Sequence, residues 1–193
     1  LDFEPSVIAI GPGIGRQPET KLAFEQFLKA NTHPLVIDAD ALNLLSENKE
    51  LLKMLPPKSI LTPHPKEFER LAGKWADDFE KLKIAKEFSH EYNCILVLKG
   101  AHSLIIYKEE LFVNNSGNPG MATGGSGDVL TGILSGLLAQ GYPMLEAAVF
   151  GVYLHGLAGD LAAGRSGYEA LTATDIIDFL GDAYLHILQN ESK

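Results

Sequence analysis

Four short apolar runs, the first three each followed by a turn and a stretch with helical periodicity, constrain the fold of this chain more than any other feature. The runs are residues 7–10, 35–37, 59–61 and 95–98. Strands that alternate with helices in this way are joined by crossovers of one hand and build a mainly parallel sheet with helices on both faces. The sequence therefore predicts an α/β fold around such a sheet.

The periodic stretches predict the helices. They cover residues 18–30, 41–45, 66–72 and 78–92, and three further helices are expected over residues 128–140, over residues 143–163 and from Thr172 onward. Two β-rich runs, residues 103–107 and 111–113, are separated by three polar residues. This spacing predicts an antiparallel hairpin at one edge of the sheet.

Length, composition and charge bound the domain organisation and the partners. The 193 residues are 46% hydrophobic and 21% charged, which suits one globular domain, and no linker or repeat divides them. A net charge of −9 repels polyanions, so neither nucleic acid nor an anionic membrane is expected as a partner. The sequence has no uninterrupted run of about 18 apolar residues, so no membrane span is expected. Cys94 alone can form neither an internal disulfide nor a zinc cluster, and its apolar neighbours predict a buried side chain.

Polar motifs follow all four predicted parallel strands. They lie at residues 11–16, 38–43, 62–67 and 99–103. In open parallel sheets, ligands bind beyond the carboxyl ends of the strands. We therefore expect a composite site at that edge of the sheet.

The strongest single motif is Gly124-Gly125-Ser126-Gly127-Asp128, which is followed by an apolar helical stretch. Glycines let the backbone approach a phosphate, a helix start directs N–H groups toward it, and Asp128 is placed to accept a proton from a hydroxyl. A flexible turn in which Asp128 only caps the helix explains the pattern equally well. The Gly-x4-Gly-Lys-Ser/Thr pattern of a P-loop does not occur, which disfavours that class of enzyme.

Two glycine and aspartate motifs each leave two interpretations open. The segment Gly11-Pro12-Gly13-Ile14-Gly15-Arg16 misses the dinucleotide-binding fingerprint, because Arg16 replaces its third glycine. It predicts either a ligand-binding loop or a plain glycine turn. Asp38, Asp40 and Asn43 could hold hydrated Mg²⁺ or a ligand hydroxyl, with helix capping as the alternative for Asp40.

Basic and histidine side chains complete the candidate site. His64 and Glu67 can face one crevice, although a lone loop histidine is more often a surface residue. Lys99 ends a strand, as a phosphate-neutralising cation does. His155 lies among small residues on a predicted helix and is interpreted as structural.

Five segments in this order, "GPGIGR", "IDADALNLL", "TPHPKE", "LKGAHSLI" and "GGSGDVLTGILSGLLAQG", resemble the ADP- or ATP-dependent NAD(P)H-hydrate dehydratase family of the ribokinase-like superfamily. The resemblance covers residues 7–160 and is far more specific than any one segment. It implies a ribokinase-like fold and an enzyme, a carbon–oxygen lyase. Such an enzyme repairs hydrated NADH and NADPH in the cytoplasm, using ADP or ATP and Mg²⁺.

The resemblance also implies roles for individual residues. Asp128 is the implied catalytic base. The hydrated nicotinamide nucleotide is expected to contact Gly11, Gly13, Gly15, His64 and Asp128. The adenine nucleotide is expected to contact Lys99, Gly100, Ala101, His102, Ser103, Asn118, Gly124, Gly125, Ser126 and Gly127. Glu67 matches a glutamate that organises Mg²⁺ in related kinases, whereas His64 stands where many of them have Asn, which favours the dehydratase branch.

Other functions stay open on the sequence. A kinase of the same superfamily, acting on a hydroxymethylpyrimidine or a sugar, would stop at the phosphorylated product, and a nucleotide-binding module would not catalyse at all. Members of the family usually carry an N-terminal segment, with sheet strands and a substrate-contacting alanine, before the first glycine loop. Residues 1–193 are therefore interpreted as a single catalytic domain that lacks this segment. A homo-oligomer is also expected, because the 143–163 helix is apolar and has few charges.

Overall fold

The computed structural model of the chain describes residues 5–191, which contain one six-stranded sheet. Its strands lie side by side in sequence order: β1 (Ile8–Ile10), β2 (Leu35–Ile37), β3 (Ile60–Leu61), β4 (Ile95–Leu98), β5 (Leu104–Tyr107) and β6 (Glu110–Val113). β1 to β4 are parallel, while β5 and β6 form an antiparallel hairpin at one edge. The predicted mainly parallel sheet with an edge hairpin is confirmed.

Helices cover both faces of this sheet. On one face lie α1 (Pro18–Ala30), α2 (Ala39–Glu47), α3 (Pro65–Ala72) and α4 (Asp78–Tyr92); on the other lie α5 (Ser126–Ala139) and α6 (Met144–Ser166). α7 (Ala173–Asp178) and α8 (Leu180–Glu191) pack against α6. Two short 3-10 helices, Lys49–Met54 and Pro119–Met121, were not predicted.

The central strand β4 shows why the sheet is covered on both faces. Ile95 and Val97 pack with α5 and α6 on one face of the sheet. Leu96 and Leu98 belong to the core on the other face, beneath α1 to α4. Successive side chains of a strand point to opposite faces, so a strand buried on both faces is a continuous apolar run. Because both faces are packed, the carboxyl ends of the strands are held rigidly, and the polar motifs extend from those ends.

The structure corrects two predicted helix boundaries. Gly125 adopts a left-handed φ of 87° and occupies the N-cap, so α5 begins at Ser126 and Asp128 lies inside its first turn. The alternative that made Asp128 the helix cap is therefore wrong. Thr172 caps α7 in a capping box with Asp175, as its spacing predicts, but one predicted helix is in fact two. α7 ends at Asp178 and α8 follows after Phe179, whose ring packs against the α5–α6 side of the core.

α6 is buried within this chain. By length and composition it could cross a membrane, yet 56% of its most apolar window is buried inside the protein, as in a core helix. Its buried residues are mostly Ala and Gly, which lets neighbouring elements approach closely. The apolar face that suggested a homo-oligomer is thus covered from within, and the oligomer stays a prediction. Cys94 is buried as expected, and burial raises the pKa of its thiol to about 12.

Candidate functional site

A pocket of about 710 Å³ lies at the carboxyl ends of the parallel strands, where the polar motifs were expected to meet. Its walls are the start of α3, the residues that follow β4, the first turn of α5, the middle of α6 and a long loop of residues 114–123, called here the 114–123 loop. Pockets of this volume accommodate drug-sized and cofactor-sized ligands. Two of the four polar motifs, at residues 62–67 and 99–103, contribute to this pocket, and those at residues 11–16 and 38–43 do not line it.

The N-terminus of α5 forms one end of the pocket. Ser126 and Gly127 line it, and the N-cap Gly125 supplies no side-chain hydrogen bond to the first turn. The first N–H groups of a helix have no intrahelical partner, and the helix dipole adds a partial positive charge there. An uncapped helix start that opens into a pocket has the chemistry that suits an anion.

Lys99 adds a full positive charge beside this helix start. Its Nζ donates a hydrogen bond to Asp38 Oδ1 at 2.7 Å, and Thr131 Oγ donates to Asp38 Oδ2 at 3.3 Å. Asp38 is 2% exposed, and these two donors satisfy its buried carboxylate oxygens. A Cβ built on Gly127 would lie 3.4 Å from both Lys99 Nζ and Asp38 Oδ2. The helix start and the ammonium group therefore converge on one spot, as phosphate recognition requires.

His64 and Glu67 face each other at the start of α3. His64 is the N-cap: its Nδ1 accepts from the N–H groups of Lys66 and Glu67, and Glu67 Oε2 accepts from the His64 N–H at 2.8 Å. Glu67 Oε1 lies 3.4 Å from His64 Nε2. Burial lowers the pKa of His64, and the positive charges of Lys99 and Arg70 lower it further, while the negative charge of Glu67 raises it. A largely neutral imidazole thus lines the pocket, with its side chain 45% exposed.

Asp160 on α6 anchors the 114–123 loop, and it was not among the predicted site residues. Its two carboxylate oxygens accept from Gly117 N–H at 2.8 Å and from Asn118 Nδ2 at 2.9 Å. Asn118 Oδ1 then accepts from the N–H of Gly120. A Cβ on Gly156 would overlap Ser116, so the loop lies directly on the helix. Gly156 and Asp160 lie four residues apart on one face of α6. This spacing was the signal in the sequence that could have singled out Asp160.

His155 was interpreted as structural, but the structure places it in the pocket wall. Its Nε2 lies 3.3 Å from Ser126 Oγ, at the first residue of α5. Burial lowers the pKa of His155 to about 4, and Lys99 contributes in the same direction. A neutral imidazole is thus held against the uncapped helix start.

Most of the predicted nucleotide-binding residues meet in the pocket, whereas most of the predicted substrate residues lie outside it. Seven nucleotide-binding residues line the pocket: Lys99, Gly100, Ala101, Ser103, Asn118, Ser126 and Gly127. The other three, His102, Gly124 and Gly125, do not line it. Among the predicted substrate residues, His64 lines the pocket, and Gly11, Gly13, Gly15 and Asp128 do not. Asp128 is exposed on the first turn of α5, directly beside Gly127.

The predicted aspartate cluster is divided among separate partners. Asp38 holds Lys99, Asp40 Oδ2 accepts from Gly15 N–H at 2.9 Å, and Asn43 Oδ1 accepts from Arg70 at 2.7 Å. Asp40 therefore binds a neighbouring loop. The alternative interpretation, that Asp40 caps a helix, is wrong. Within residues 5–191, no group of three or more His, Cys, Asp or Glu side chains is arranged to hold a metal ion.

Known proteins share this sequence and this fold. Residues 4–181 match the protein family described as NAD(P)H-hydrate dehydratase. Over 180 residues, 92% of this chain, the sequence is 45% identical to a bifunctional NAD(P)H-hydrate repair enzyme from Moorella thermoacetica, of which it spans 34%. This chain thus spans about a third of that relative's length.

Two solved structures have the same architecture. A ribokinase-like superfamily protein from Enterococcus faecalis superposes with a TM-score of 0.81 and 32% identity, over 93% of this chain and 63% of that one. An ADP/ATP-dependent NAD(P)H-hydrate dehydratase from Bacillus subtilis, co-crystallised with ATP/Mg²⁺, superposes with a TM-score of 0.79 and 31% identity, over 96% of this chain and 66% of that one. The fold is therefore ribokinase-like, as the sequence resemblance implies. With its family match over nearly the whole length, this chain belongs to the NAD(P)H-hydrate dehydratase family.

Proposed function

We propose that this protein dehydrates hydrated NADH and NADPH at the expense of ADP or ATP. The observation that carries the proposal is the pocket in which the uncapped start of α5 and Lys99 converge, in a chain of this family. Helix-start N–H groups and an ammonium group together recognise phosphate. The co-crystallisation of the Bacillus subtilis relative with ATP/Mg²⁺ supports a nucleotide as the ligand.

The nucleotide would lie along the pocket with its phosphates at α5. Gly127 would offer its N–H group to the terminal phosphate, Ser126 would line the site, and Lys99 would neutralise the charge of the phosphate. The 114–123 loop, which Asp160 anchors, would cover the remainder of the nucleotide. This arrangement uses seven of the residues that the resemblance assigned to the nucleotide.

Asp128 would start the chemistry from the open side of α5. Its carboxylate accepts the proton of the ring hydroxyl as the hydroxyl oxygen attacks the terminal phosphoryl group, and the bond to the rest of the nucleotide breaks, releasing AMP from ADP or ADP from ATP. Hydroxide is a poor leaving group, whereas the phosphate formed on that oxygen leaves readily. The ring nitrogen lone pair drives the departure, and loss of a proton from the neighbouring ring carbon then restores the dihydropyridine, so the protein needs no redox group. Asp128 next to Gly127 puts the base beside the proposed phosphate site.

A magnesium ion fits the residues present only as a partner of the nucleotide. Mg²⁺ keeps several waters and binds through one or two carboxylates plus substrate phosphates, so a protein cage of three ligands is not required. Glu67 is the residue we propose to hold it, although both of its oxygens also face His64. The ion would supply further neutralisation of the phosphate charge.

The decisive experiment incubates the protein with hydrated NADH, Mg²⁺ and either ADP or ATP. We expect nucleotide-dependent recovery of the absorbance of the reduced nicotinamide ring, and none without nucleotide. Accumulation of a phosphorylated pyrimidine or sugar alcohol, with no NADH recovered, would instead establish the kinase alternative. Tight ADP binding without any turnover would establish a binding module.

A further inference from the structure

Residues 38–40, called here the 38–40 turn, join β2 to α2: Asp38 is the N-cap, and Ala39 and Asp40 are the first two residues of the helix. Ala39 has a left-handed φ of 50°, a conformation that is uncommon for a residue with a Cβ. Such strained residues persist where the surrounding structure over-determines them, and they cluster at functional sites. The turn places two aspartates two residues apart, and their carboxylates bind different parts of the site.

Asp38 binds the pocket side. Its carboxylate accepts from Lys99 Nζ at 2.7 Å and from Thr131 Oγ at 3.3 Å. Asp38 is almost fully buried, whereas the Lys99 side chain is 23% exposed and lines the pocket. A buried carboxylate that binds the ammonium group of a long, flexible lysine restricts the rotamers of the lysine side chain. Lys99 is therefore held beside Gly127 before any ligand arrives.

Asp40 binds the opposite side, through the loop of residues 11–15, called here the 11–15 loop. Gly11, Gly13 and Gly15 all have positive φ values, so this loop adopts a backbone conformation that residues with a Cβ rarely take. Asp40 Oδ2 accepts from Gly15 N–H at 2.9 Å. A Cβ on Gly11 would overlap the carbonyl oxygen of Asp38, so the loop also lies directly on the 38–40 turn.

We propose that the 38–40 turn is a positioning element for both halves of the site. Asp38 acts through Lys99 on nucleotide phosphate, and Asp40 acts through Gly15 on the loop that faces the other substrate. Neither aspartate lines the pocket, so both act indirectly. The inference rests on the proposed function for what the two halves of the site bind. The hydrogen bonds of Asp38 to Lys99 and of Asp40 to Gly15 do not depend on turnover.

The test compares Asp38→Asn with Asp40→Asn, and uses Asp78→Asn as the matched control, since Asp78 pairs with Lys81 on the surface of α4. For Asp38→Asn we expect ADP affinity, measured by calorimetry, to fall about tenfold, because binding must then order the Lys99 side chain that Asp38 holds in the parent. For Asp40→Asn we expect ADP affinity to stay within about twofold and amide hydrogen exchange at residues 13–15 to rise about tenfold or more. The steady-state KM values should split in the same way: the nucleotide KM rises in the first variant and the KM for hydrated NADH in the second. The control should match the parent in every measurement.

Equal losses of ADP affinity in the two aspartate variants, or parental values in both, would overturn the proposal, because a general structural role gives no split. If Asp38→Asn does not fold, the double variant Asp38→Asn/Lys99→Gln removes both charges and should fold. It should bind ADP as Lys99→Gln does, since Asp38 acts only through Lys99, and a further loss would contradict the inference. A parent that binds ADP but restores no NADH would count against the dehydratase activity and leave the ADP and exchange results to decide the role of the turn.

Discussion

The starts of α5 and α7 are built in opposite ways. At α7, Thr172 Oγ accepts from Asp175 N–H while the Asp175 carboxylate accepts from Thr172 N–H, so the helix satisfies its own first turn. At α5 a left-handed glycine takes the cap position and contributes no side chain. The start of α7 serves the stability of its own helix, whereas the start of α5 has no side-chain cap and suits a ligand. The difference shows where a helix N-terminus is kept open for binding.

The start of α3 lies between these two cases. It has a complete capping box, yet its N-cap is His64, which also lines the pocket. Glu67, predicted as a magnesium residue, closes this box with Oε2. One pair of side chains can therefore stabilise a helix and face a ligand, and the metal role of Glu67 stays a prediction.

The largest effect should follow from Asp128→Asn in the first turn of α5. Asn keeps the size of the side chain but cannot accept the hydroxyl proton, so turnover should fall by about two to four orders of magnitude. Because Gly125 rather than Asp128 caps the helix, the melting temperature should change little. Single-turnover kinetics, ADP calorimetry and thermal melting on one preparation give the three readings.

Asp182→Asn is the matched control for that prediction, since Asp182 is an exposed acid in the first turn of α8. It should turn over like the parent. Near-parental turnover in Asp128→Asn would show that Asp128 is not the proton acceptor, and that the start of α5 does not carry the catalytic base.

The next effect concerns pH, because His155 supports the start of α5 from α6. Burial lowers the pKa of His155 to about 4 from the 6.5 of an unfolded chain. Between these two values the unfolded state binds a proton that the folded state excludes, so stability is lost as the pH falls from 6.5 to 4. The contribution reaches roughly 3 kcal/mol at the acid end of this window.

Urea unfolding of the parent and of His155→Gln at several pH values measures this contribution. The variant should lose less stability between neutral and acid pH, and the two curves should run parallel above the unfolded pKa. Parallel curves over the whole range would show that the pKa of His155 is the same in the folded and the unfolded protein. The contact with Ser126 would then need another explanation.

A smaller effect is expected from Gly127→Ala, which tests whether the open start of α5 needs its bare backbone. The added methyl group would lie 3.4 Å from Lys99 Nζ and Asp38 Oδ2, where we place a phosphate. We expect ADP affinity to fall about tenfold, a loss of about 1.4 kcal/mol. Gly132→Ala is the control on the same helix, because nothing lies within 4 Å of its new Cβ. That control should bind ADP normally and gain up to about 1 kcal/mol of stability. Equal ADP affinity in the two variants would contradict the phosphate position.

The smallest effect should come from the self-capped helix. Thr172→Ala removes the side chain that caps α7 and should cost about 1 kcal/mol of stability in chemical denaturation. ADP affinity should stay within about twofold, because this start binds no ligand. Thr172→Ser keeps a hydroxyl and should recover most of the stability. A large loss of ADP affinity in Thr172→Ala alone would mean that the two helix starts are not independent.

Local patterns predicted most of the elements. The bounds of α1, α4, β2 and β4 agree with the predicted ranges, and the capping box at Thr172 was visible from its spacing to Asp175. These features depend on neighbours within one helical turn or on a run of apolar residues. The break between α7 and α8 was missed; Phe179 lies at the C-cap of α7, and its ring packs against the α5–α6 side of the core.

The sequence by itself determined the alternation of strands and helices, the glycine-rich start of α5 and the family, since these are carried by residues near one another in the chain. Only the tertiary structure decided which polar groups meet. Lys99 and Asp38 are 61 residues apart and come together because β2 and β4 flank β3 in the sheet. Asp160 and Asn118 are 42 residues apart, and Ser126 and His155 are 29 apart. Charges and hydrogen bonds act over a few ångströms of space, whatever their separation in sequence, so the packing of α6 and the order of the strands had to be known first.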